Sequence, residues 1–181
     1  EECVQRYRKA VDQGLLKTQG GMGLLWYTKE KFGNCTLRVV YKTTTLDDNS
    51  GIFIRIPEPP ADPRQAVHTG YENQILENFR ASYKRSEHQL AHGDKWHTTG
   101  AIYSLSPTRA TPQHPAGQWN TMEIALEGPR TIVRPNDVLV NDFTDGDPVP
   151  PRQHTYEPIR GPRPEVGYIG IQNHHEPQTV D

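Results

Sequence analysis

Long apolar runs are missing from this 181-residue chain. No stretch of 18 apolar residues occurs, so no ordinary membrane-spanning helix is expected. Only 33% of residues are hydrophobic and mean hydropathy is -0.80, too little for the broad apolar stripes of a helical bundle. Basic tracts are missing as well. Formal net charge is -2 and the pI is near 6.5, which argues against generic electrostatic binding to nucleic acid. Cysteine is confined to Cys3 and Cys35. They either pair or stay as two buried thiols, and a chain of this length needs no disulfide to build a core. The chain opens at Glu1 without a signal-peptide pattern, as expected where a leader has been removed or lies outside the segment. There is no internal repeat.

What the chain does contain is turn chemistry. Its 15 glycines and 16 prolines gather between short apolar segments, as an all-β protein requires. Residues 35–43 (CTLRVVYKT) alternate, with Leu37, Val39 and Tyr41 on one face. Residues 51–56 (GIFIRI) place Ile52, Ile54 and Ile56 on one face and Phe53 with Arg55 on the other. A proline-rich loop, 57–63, follows. Further strands are expected at 71–76 (YENQIL), 100–105 (GAIYSL), 119–126 (WNTMEIAL), 131–134, 138–143 and 166–173 (VGYIGIQN). Residues 78–95, 106–117 and 145–164 read as long loops. Pro135-Asn136-Asp137 is a hairpin signal. Eight to ten short strands with almost no helical period predict one domain over residues 1–181. The fold class is all-β, two antiparallel sheets packed face to face.

Seven segments resemble the 3-keto-disaccharide hydrolase domain family, in that family's order. They are GGMGLLWY (20–27), DDNSGIFIR (47–55), GYENQILE (70–77), TGAIY (99–103), PAGQWNTMEI (115–124), NDVLVNDF (136–143) and GYIGIQNH (167–174). The resemblance implies a concanavalin A-like jelly-roll sandwich with one concave sheet and a carbohydrate-active site upon it. It also implies an extracytoplasmic or secreted protein. Two positions depart from the family's usual pattern. The hairpin has Asn136-Asp137 in place of Asn-Gly, a turn that Asp tolerates at a small cost. The strand after Gly70 ends in Glu77 where the family has Asp, which lengthens the reach of that carboxylate. The ends look short against the family, so either a neighbouring segment supplies an edge strand or the sequence is part of a longer chain.

The chemistry implied is cleavage of a 3-keto glycoside. The proton on carbon 2 is acidic, and its removal lets the group on carbon 1 leave. That reaction needs a base, an oxyanion stabiliser and an acid. Ordinary glycoside hydrolysis would instead use two carboxyl groups. Glu72 is the first choice for acid or base, since burial beside Ile75 would raise its pKa. The plainer alternative is a surface carboxylate on a solvated face. Arg55 would bind a sugar oxygen or an enolate, or would only bridge to Glu72. Glu77 and His97 complete the catalytic candidates. Gln74 and Tyr103 could orient hydroxyls, and His174, a further substrate-binding candidate, could like His97 shuttle protons near neutral pH. Tyr103, Tyr168, Phe53 and Trp96 could offer aromatic faces to a sugar ring. Trp26 and Trp119 read as core. His88 and His92 are four apart and precede His97, but no HExxH pattern is present. No cofactor is therefore expected, with a divalent metal as the minor alternative. The partner implied is a mono- or oligosaccharide, and the oligomeric state is open. The competing reading is a non-catalytic carbohydrate-binding module on the same fold.

Overall fold

The computed structural model describes residues 14–17, 23–45, 48–76 and 95–174. Cys3, Glu77, His88 and His92 lie outside them, so the disulfide, the Glu77 role and the paired histidines are not addressed by this structure. Among the described residues the strands are β1 Gly23–Trp26, β2 Cys35–Tyr41, β3 Asn49–Ile56, β4 Tyr71–Leu76, β5 Asn120–Glu127, β6 Arg130–Pro135, β7 Asn141–Thr144 and β8 Tyr168–Asn173. They form two four-stranded antiparallel sheets, ordered β1-β8-β3-β4 and β2-β5-β6-β7. The all-β jelly-roll sandwich expected from the sequence is the fold observed. Among the described residues no helix is long and apolar enough to cross a membrane.

The core lies between the sheets and follows the two-residue period. Ile52 and Ile54 of β3 and Tyr71 and Ile75 of β4 meet Met122, Ile124 and Leu126 of β5, Val133 of β6 and Phe143 of β7. Cys35, Leu37, Val39 and Tyr41 alternate inward along β2. Tyr71 and Phe143 pack edge to face across the sheets, with centroids 5.5 Å apart.

Alternation breaks in β3, and the break matters. Phe53 pairs with Gly170 and Ile56 with Tyr168, so three steps on β3 match two on β8. This is a β-bulge, with Arg55 in the left-handed region at φ 57. Ile56 therefore joins Phe53 in a second apolar cluster on the outer face of the first sheet, rather than following Ile52 and Ile54 inward. The bulge brings the Arg55 backbone against β8. A Cβ on Gly167 would stand 2.5 Å from Arg55 Cα, so only glycine fits there.

A short helix, α1 Pro63–Thr69, covers that second cluster with Ala66 and Val67. The sequence reading places only Pro63 of this stretch in a loop and assigns residues 64–69 to no element. Its start is nevertheless written locally: the Asp62 side chain accepts from Arg64 N at 2.8 Å, and proline fills the first helical position.

The strand expected at 100–105 is a series of turns, with Gly100 at φ 85 and Ser104 at φ 56. Its backbone still borders β4. Gln74 N donates to Ala101 O at 3.0 Å, Gly100 N to Gln74 O at 3.0 Å and Tyr103 N to Glu72 O at 2.9 Å. The segment thereby satisfies the outer edge of β4, which would otherwise be open. At the β6–β7 turn, Asn136 and Asp137 take φ 46 and 66, the two successive left-handed residues of a tight hairpin.

Candidate functional site

The outer face of the first sheet carries three parallel rows. Register places Trp26, Gly170, Phe53 and Glu72 in one, and Leu24, Gln172, Gly51 and Gln74 in the next. Tyr103 continues the first row beyond Glu72, since Ile102 bridges Asn73. The third row pairs His174 with Asn49. One end of this face is apolar and roofed by α1. The other end is polar.

Glycine makes the polar end possible. A Cβ on Gly51 would lie 2.5 Å from Glu72 Oε1, so the Glu72 carboxyl fills the space above residue 51. There it meets the Gln172 amide across the bare middle strand. Glu72 is only 6% exposed. Burial pushes its carboxyl up to about 8, and the hydrogen bond from Gln172 pulls against that rise. Gln74 Nε2 donates to Asn49 Oδ1 at 2.9 Å. The side-chain oxygens of Gln74 and Gln172 are both buried without a protein partner. Such acceptors are costly unless a donor reaches them.

The neighbour of Glu72 in its row is Tyr103. The His97 ring packs against Tyr103 with centroids 4.8 Å apart, and His97 Nε2 is 2.7 Å from Ser104 Oγ. Trp96 leads into this turn, its carbonyl accepting from Ser104 N at 3.1 Å.

Glu72, Gln74, Tyr103 and His174 thus share one face of the sheet. Arg55 does not join them. The bulge turns its side chain between the sheets, where Nη2 donates to Gly128 O at 2.5 Å and to Arg130 O at 3.2 Å. The expected meeting of Arg55 with Glu72 is therefore corrected: the two side chains leave the sheet on opposite sides. Phe53 is also corrected. It lies on the Glu72 side but is 1% exposed beneath α1, in a cluster with Ile56 and Ala66, and presents no ring face to a ligand. Tyr168 lies at the α1 end of the face, edge-on to Trp26, with Lys31 Nζ 5.3 Å from its centroid. Trp119, read as core, is 47% exposed and carries Lys42 over its ring.

Two residues of this arrangement, Gly51 and Gln172, were not singled out from the sequence. The period of β8 does put Tyr168, Gly170 and Gln172 on one side. Only the strand order shows that Gln172 faces Glu72 across a glycine.

Residues 2–180 match the description of the 3-keto-alpha-glucoside-1,2-lyase-like domain. The chain belongs to that family. Among solved structures it is similar to a candidate glycosyl hydrolase from Parabacteroides distasonis, at TM-score 0.64 and 23% identity over 87% of this chain and 78% of that one. A second candidate glycosyl hydrolase from the same organism aligns at TM-score 0.61 and 18% identity, over 81% and 68% of the two chains. These likenesses concern the fold. No curated protein matches the chain. Within the family frame, the face that carries Glu72 spans five of the seven segments by which the sequence resembles the family: those holding Trp26, Gly51, Glu72, Tyr103 and Gln172.

Proposed function

We propose that this domain is a carbohydrate-active enzyme that cleaves a 3-keto glycoside, with Glu72 as its principal acid–base group. The observation that carries the reading is the buried Glu72 carboxyl, raised toward neutrality and flanked by two amide oxygens that lack partners. A carboxyl with a pKa near the working pH serves well in proton transfer. The unfilled oxygens of Gln74 and Gln172 suit sugar hydroxyls, which donate.

The chemistry follows from the substrate. Ionised Glu72 takes the proton from carbon 2, whose acidity comes from the neighbouring ketone. The electron pair released forms a double bond between carbons 1 and 2. The bond from carbon 1 to the leaving oxygen breaks, and that oxygen takes a proton. Tyr103, which neighbours Glu72 in its row and has His97 packed against it, is the acid assigned to that step. Water then adds at carbon 1, and a proton returns to carbon 2, giving the free 3-keto sugar.

Incubation with 3-keto-trehalose or a 3-keto aryl glucoside tests the reading. Sugar release by the wild type and its loss by at least ~10²-fold in Glu72→Gln is expected. Background release, with Glu72→Gln no slower than the wild type, would overturn it. Calorimetric binding without turnover would leave the domain as a carbohydrate-binding module.

A further inference from the structure

From the row that crosses β4, β3 and β8, we infer that Gln172 is a positioning residue that holds the Glu72 carboxyl over Gly51. The inference rests on the reading of Glu72 given above and extends it to a residue outside the sequence-derived set.

Three observations support it. First, Glu72 and Gln172 belong to strands that are not neighbours, since β3 separates them. Two side chains can meet across an intervening strand only where that strand lacks one. Gly51 supplies the gap, since its missing Cβ is the space the carboxyl occupies. Second, Gln172 is itself fixed. It is buried, and Ser50 Oγ donates to its backbone carbonyl at 2.6 Å. Third, the Gln172 NH₂ group donates to the carboxylate of Glu72, while the amide oxygen stays without a protein partner.

Among the described residues, the other titratable groups on the surrounding elements are these. Tyr103 and His97 stand on the segment along the β4 edge, Tyr168 lies on β8 at the α1 end with Lys31 beside its ring, His174 follows β8 one row away, and Arg64 and His68 lie on α1. Within their strand limits β1 has no titratable residue, and the one on β3, Arg55, faces the opposite side. Hydrogen bonding to the charged form favours that form. Loss of the amide therefore raises the proton affinity of Glu72.

The test is a carboxyl NMR titration of glutamate-labelled protein without substrate. The Glu72 signal is identified by its absence in Glu72→Gln. Gln172→Met and Gln172→Leu keep the volume and remove the amide. Either variant, folded by its amide spectrum, is expected to raise the Glu72 midpoint by about one pH unit. With Glu72 as base, kcat/KM at pH 7 falls about tenfold and the pH profile moves by the same amount. An unmoved midpoint in both variants overturns the inference. The two ideas fail separately. Full activity in Glu72→Gln removes the catalytic reading while a shifted midpoint still stands. An inactive Glu72→Gln with an unmoved midpoint removes only the role of Gln172. If both variants fail to fold, Gln172→Asn, which keeps an amide one carbon shorter, gives the same reading through its midpoint.

Discussion

A methyl group on Gly51 would stand 2.5 Å from Oε1 of Glu72 and 2.7 Å from its Cγ. The glycine and the carboxyl are therefore one feature, built from adjacent strands. Gly51→Ala should destabilise the protein by about 1–3 kcal/mol, the usual cost of overpacking. It should also lower turnover by displacing the carboxyl. In a Glu72→Ala background the same substitution should cost much less, because the colliding atoms are gone. Urea unfolding of the four proteins measures the coupling, and additive effects would contradict the geometry.

Glu72 also predicts a direction for stability against pH. Its folded pKa, about 8, lies above the ordinary value of 4.5, so the folded state holds the proton more tightly than the unfolded chain. That contribution is complete below pH 4.5 and is lost as pH rises through about 8. Glu72→Gln removes this dependence. The variant's thermal midpoint should fall less than that of the wild type between pH 5 and 8, and parallel profiles would refute the shift. In activity, a base role makes kcat/KM rise with pH to a plateau above about 8, whereas an acid role makes it fall there.

Arg55 should behave as a structural residue. Its guanidinium is buried between the sheets, with only Nη2 hydrogen-bonded, and its backbone sits at φ 57. Replacement by either Gly or Ala loses the tie to the β5–β6 turn. Glycine adopts a positive φ freely, so Arg55→Gly should be less destabilising than Arg55→Ala by about 1 kcal/mol. Chemical denaturation decides this. Turnover per folded molecule should survive in whichever variant folds, because the side chain points away from Glu72.

The cap of α1 offers a smaller, cleaner test. Asp62→Ala removes the acceptor for Arg64 N and should cost about 1 kcal/mol. In a chain of this size that is a drop of roughly 2–4 °C in Tm. A larger loss would show that Asp62 does more than cap the helix. The α1 signal, Asp62 followed by Pro63, is legible in the sequence, but seven residues are too few to show a helical period.

The sequence by itself determined the layered all-β architecture, because side chains alternate in strands whatever lies around them. For the same reason it placed Glu72 and Gln74 on one face, and its seven short segments pointed to the family. What alternation could not reveal was the extra residue in β3. A bulge is stabilised by contacts from elsewhere in the fold, here Gly167 pressed against the Arg55 backbone and the carbonyls of Gly128 and Arg130 around its guanidinium. Those partners are distant along the chain, so only the packed sandwich decided that Arg55 turns inward. It likewise decided that Gln172, two strands away, meets Glu72 across the bare backbone of Gly51.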